Sequence, residues 1–93
     1  MTTVKSDKSL DEIYQAILNL ENINECKKFF RDLCTISELN SMAERFSVVK
    51  MINQNIPYRE ISKKTGSSTA TITRVAHWLH HGKGGYKLIL KRV

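Results

Sequence analysis

No apolar run in this 93-residue chain approaches the ~18 residues that a bilayer crossing requires. The opening stretch, MTTVKSDKSLDEIY, has no apolar core of a secretory signal. The expectation is a cytoplasmic protein with no membrane partner. Cysteine is scarce: Cys26 and Cys34 stand eight apart, too few for a disulfide scaffold and without the close pairs of a zinc site. Both read as reduced thiols packed in helices. There is no Gly-rich phosphate loop, no pair of carboxylates in an apolar setting, and no cysteine with a placed histidine, so an enzyme is not expected. Repeats, low-complexity tracts and long linkers are also missing, which leaves one small domain over residues 1–93. Acid is the most telling shortage. Residues 58–93 hold eight Lys/Arg against the single Glu60, while residues 1–57 hold seven Lys/Arg and eight Asp/Glu. All of the net charge of +6 therefore resides in the last third. Clustered cations of this kind bind polyanions, whose phosphates release counterions on association.

What is present is helical periodicity almost throughout, with little strand-like alternation. "SLDE" (Ser9 to Glu12) reads as a capping box opening a first helix with Leu10, Ile13, Tyr14, Ile17 and Leu18 or Leu20 as its stripe. Asn22 and Asn24 loosen the chain before a second helix carrying Cys26, Phe29, Phe30 and Leu33. "TISE" (Thr35 to Glu38) is a second capping box, opening a longer helix marked by Leu39, Met42, Ala43, Phe46, Val49 and Ile52. "NQNIP" ends it, and Pro57 suits the first turn of the next element. "PYREISKKTG" gives two turns closed by a glycine fit for the left-handed conformation. Ser68 then caps "TATITRVAHWLHH". After "GKGG" the final "YKLILKRV" fits a short helix or a strand. The sum is an all-α domain of about six helices: residues 8–54 for dimerisation, 57–81 for a helix-turn-helix, and 82–93 as a C-terminal segment. A chain this small gains core by pairing with a second copy.

Residues 58–77 meet the requirements of a helix-turn-helix. Gly66 supplies the tight turn, Ile61, Ile72 and Val75 knit the helices, and Ser62 is small where the second helix approaches. Thr65 and Ser67 are weaker choices at inward sites. A recognition helix enters the major groove by its N-terminal end, where side chains must be small enough for close approach and polar enough to bond bases or phosphates. Ser67, Ser68, Thr69, Ala70, Thr71 and Thr73 suit that task. Amides at the helix start receive phosphate oxygens, and Arg59, Lys63 and Lys64 flank the edge on the preceding helix.

"YREISKKTGSSTATITR" resembles the DNA-binding region of the Trp repressor family, with "ATITR" its most distinctive fragment. The likeness continues back through "TISELNSMAERFSVVKMI" and covers roughly residues 33–81. Chain size and the aromatic helix after "ATITR" point to the branch often labelled YerC/YecD. The resemblance implies an intertwined, all-helical homodimer whose two reading heads face successive major grooves of double-stranded DNA. By position, Arg59 matches a family arginine that contacts a guanine, and Ala70 and Thr73 match residues facing base edges. In tryptophan-binding members two arginines sandwich the indole, and they match Arg45 and Arg74. A threonine at the pocket edge matches Thr35. Val75 and Trp78 stand where the family leaves room with small residues, which argues against L-tryptophan as effector, and no cofactor is expected.

His77, His80 and His81 bring two imidazoles onto one helical face, but no partner motif adds a third ligand, so they read as polar residues at a helix C-terminus rather than a metal site. Two function classes remain. The first is a sequence-specific, repressor-like transcriptional regulator. The second is a helical protein-interaction or RNA-binding module that reuses the same scaffold without operator specificity.

Overall fold

The computed structural model describes residues 7–93, so the first six residues of the stretch read above as free of a signal lie outside it. Six helices follow in order: α1 (Asp7–Leu18), α2 (Ile23–Leu33), α3 (Ile36–Asn53), α4 (Tyr58–Thr65), α5 (Thr69–His81) and α6 (Gly85–Leu90). No strand occurs among the described residues, and the C-terminal segment is helical where the sequence left helix and strand open. No helix is long and apolar enough to cross a membrane.

Local signals explain most boundaries. Asn22 does more than loosen the chain: its side chain accepts from the Glu25 amide at 3.0 Å and caps α2. At the start of α3 the Glu38 amide donates to the Thr35 hydroxyl at 3.1 Å, and the Thr35 amide donates to a Glu38 carboxylate oxygen at 2.8 Å. This is the reciprocal pair that a capping box provides. The backbone and side-chain bonds from Thr35 hold the Glu38 carboxyl below its usual value. The other expected box fails as a boundary. Ser9 lies inside α1, which has already begun by Asp7. Cys34 sits just past the end of α2, with extended backbone, and both cysteines are free and half-buried.

Contacts divide the chain into two compact units, one reaching to Leu39 and one running from Asn40 to Val93. In the first, α1 and α2 bury no residue at all. Tyr14, Leu18 and Ile23 are 56%, 83% and 71% exposed, so the apolar stripes are only partly covered, with Leu10, Ile17, Phe29 and Phe30 half-buried. The second unit owns the core. Val48, Val49 and Ile52 of α3 pack with Ile61 of α4 and with Ile72, Val75, Ala76 and Leu79 of α5. Tyr86 and Leu90 of α6 lie against this cluster, which is what selects helix over strand for the last segment.

Candidate nucleic-acid interface

Two short helices and the turn between them build the site. Pro57 sits one position ahead of α4 and accepts from the Ile61 amide at 3.0 Å. Gly66 ends α4 in the left-handed conformation, φ +77°, with its amide donating to the Ser62 carbonyl at 2.8 Å. A side chain is strained at such a φ, so glycine lets the chain reverse within three residues. Ser68 starts α5 by accepting from the Thr71 amide at 3.1 Å, while its own hydroxyl donates to the Thr71 hydroxyl at 3.1 Å. Ile61, Ile72 and Val75 are fully buried and hold the pair together.

The opposite edge is bare. Ser68, Thr69, Ala70, Thr73 and Arg74 are exposed and Thr71 is half-buried. The Ser68 cap takes the Thr71 amide, and the amides of Thr69 and Ala70 have no helical carbonyl before them to bond. Arg59, Lys63 and Lys64 are exposed on α4. Lys64 is paired with Glu60 at 3.2 Å, one helical turn away. Arg59, Lys63, Arg45 and Arg74 form no ion pair among the described residues. A surface with unpaired cations beside small hydroxyls and free amides has the chemistry to bind phosphate and to approach a base edge closely.

Ser67 departs from the expectation. It is only 2% exposed, and its hydroxyl donates to a Glu44 carboxylate oxygen of α3 at 2.6 Å. A side chain spent in this way is not a surface donor, so Ser67 belongs to the support of the edge. Glu44 was not singled out from sequence. Its partner lies 23 residues away, and no local spacing links the two.

Arg45, Arg74 and Trp78 do meet, around a cleft of about 180 Å³ that Ser41, Glu44, Thr71 and Val75 also line. Trp78 is 43% exposed there. Thr35 belongs to the first unit, and its hydroxyl is occupied in capping α3. Near the end of α5 the rings of His77 and His81 lie 5.1 Å apart, and those of His80 and His81 6.4 Å apart. Among the described residues no group of three or more histidine, cysteine or acidic side chains is placed to hold a metal ion.

Comparison with known proteins places this geometry among relatives. A model of the family described as Trp repressor protein matches residues 8–93. The uncharacterized protein YerC of Bacillus subtilis (strain 168) is 44% identical over 86 residues, 92% of this chain and 83% of that one. A TrpR like protein from Eubacterium eligens ATCC 27750 superposes with a TM-score of 0.88 at 42% identity, over 91% of this chain and 88% of the other. A structure described as a candidate Trp repressor from Staphylococcus aureus gives 0.88 at 47% identity, over 94% and 87%.

Proposed function

The chain belongs to the Trp repressor protein family, and from that premise we propose that it is a homodimeric, sequence-specific DNA-binding regulator. Its reading head is the α4–α5 pair. Arg59 meets a base edge, Ala70 and Thr73 approach the groove floor, and Lys63, Lys64 and Arg74 meet phosphates together with Ser68, Thr69, Thr71 and the α5 amides. The observation that carries this reading is the pairing state of the edge: exposed Arg59, Lys63 and Arg74 lack any acidic partner among the described residues. Cations grouped beside small hydroxyls at a helix start can take phosphates directly, and Glu60 is the one acid that competes for them, at Lys64.

The partly covered stripes of α1 and α2 support the dimer. Apolar side chains as exposed as Leu18 and Ile23 are a cost to a small soluble unit unless a second copy covers them. On the same reading Trp78 is a built-in occupant of the cleft. Arg45 and Trp78 line both this cleft of about 180 Å³ and a wider hollow of about 1040 Å³, so the case against L-tryptophan rests on Val75 and Trp78 standing where the family leaves room.

The test is selection of bound fragments from genomic DNA, followed by gel shifts with unlabelled competitor. The expected result is retention of a two-fold symmetric site, with half-sites about one helical turn apart. Equal affinity for any duplex or for RNA would overturn the reading and leave the helical interaction module in its place.

A further inference from the structure

Ser67 is the polar residue that the core encloses, and every polar group it has is engaged. Its hydroxyl donates to Glu44 at 2.6 Å, its amide donates to the Thr65 hydroxyl at 3.1 Å, and its carbonyl accepts from the Ser62 hydroxyl at 2.8 Å. The Thr65 hydroxyl in turn donates to the Ile61 carbonyl at 2.7 Å. Two of these bonds, from Ser62 and to Thr65, bind the turn to α4, and the Thr65–Ile61 bond lies within α4. The fourth ties it to α3, and among the described residues it is the only hydrogen bond between α3 and the α4–α5 pair.

The remaining hold of α3 on the pair is apolar, through Val48, Val49 and Ile52 against Ile61, Ile72 and Val75. Such packing is close but non-directional, and smooth aliphatic surfaces tolerate small rotations. A hydroxyl-to-carboxylate bond of 2.6 Å is short, charge-assisted and directional. It therefore fixes an angle that the core alone leaves soft.

We propose that Glu44 is a positioning residue of the reading head. Through Ser67 it sets the angle at which the turn and the start of α5 are presented. The bond itself is independent of any ligand, while its consequence for recognition rests on the DNA-binding reading.

The experiment compares Ser67→Ala, Glu44→Ala and Glu44→Gln with the parent chain, in two arms. The first is amide hydrogen exchange on the free protein. Losing a hydrogen bond to a charged group should speed exchange over residues 62–72 by about tenfold or more in Ser67→Ala and Glu44→Ala. The α3 amides from Val48 to Ile52 should be unchanged, which separates a loosened head from general unfolding. Glu44→Gln keeps an acceptor oxygen but not the charge, and should restore about half of the protection.

The second arm is the ratio of specific to non-specific DNA affinity. It should fall about tenfold in Ser67→Ala and Glu44→Ala, with non-specific affinity retained because the cations are untouched. Glu44→Gln removes the same charge as Glu44→Ala, so recovery by Gln assigns the effect to the bond and not to the charge. Parent-like exchange in both alanine variants overturns the proposal, as does a Gln variant that behaves like Ala. Should the parent chain show no preferred duplex, the DNA reading fails, and the exchange arm still decides whether Glu44 holds the head.

Discussion

The dependence of DNA affinity on salt gives the sharpest measure of the proposed edge. On the proposed reading Lys63, Lys64 and Arg74 of each protomer meet phosphates, so a two-headed dimer neutralises about six. At about −0.9 per phosphate the slope of log affinity against log salt is near −5, and raising salt from about 50 to 200 mM should weaken binding about a thousandfold. Lys63→Ala removes one contact per head and should reduce the slope by about 2, equally for specific and random duplexes. Lys64→Ala should move it less, because the Lys64 ammonium already lies 3.2 Å from the Glu60 carboxylate and exchanges one partner for another on binding. Fluorescence anisotropy with a labelled duplex across the salt range reads all three slopes. A slope near zero, or a Lys63→Ala slope equal to the parent's, would refute the claim that these cations grip phosphate.

The other expectations are briefer. Arg59→Ala should cost about 1–3 kcal/mol of specific affinity and relax discrimination at one base pair, read by competition with single-substituted duplexes. Gly66→Ala meets no neighbouring atom, so its cost is that of φ +77° for a side chain, about 1–2 kcal/mol in urea denaturation; Gly66→Asn should recover part of it. Because Thr35 lowers the Glu38 carboxyl below its usual value, that charge stabilises the start of α3 above the ordinary carboxylate range. The contribution is lost as pH falls through the lowered value. The melting difference between the parent and Glu38→Gln should therefore shrink on acidification. Sedimentation should give twice the 10.7 kDa chain mass, and a monomer with α1 and α2 still folded would contradict the pairing inferred from their partly covered stripes.

How much of this was legible in the sequence depends on the range of the signal. Thr35 with Glu38, Gly66, and Ser68 before Thr71 are contacts within one turn, and each was read at its place because the residue type and its spacing carry the whole message. Ile61, Ile72 and Val75 were legible for a similar reason, since helical periodicity names the inward face. Ser9 with Glu12 has the same spacing as Thr35 with Glu38 yet opens nothing, because α1 is already under way at Asp7. Spacing identifies a possible cap but not whether an earlier turn exists. Ser67 reads both as an inward site and as part of the hydroxyl edge, and its burial agrees with the first. Its hydroxyl partner, Glu44, lies in α3, out of reach of any local spacing. The α6 segment could not be assigned from eight residues, and the core contacts of Tyr86 and Leu90 decide it.

Glu44 belongs to two structures at once, and this constrains any effector. Its carboxylate receives the Ser67 hydroxyl, and it also lines the cleft shared by Arg45, Arg74 and Trp78. A ligand shifts an equilibrium only by binding one state better than the other. Val75 and Trp78 are among the residues that line the cleft, and its acid is engaged with the turn. A molecule that competed for the Glu44 carboxylate from within the cleft would favour a pose in which the bond to Ser67 is loosened. On the DNA-binding reading, a ligand that broke the Glu44–Ser67 bond would lower specific affinity.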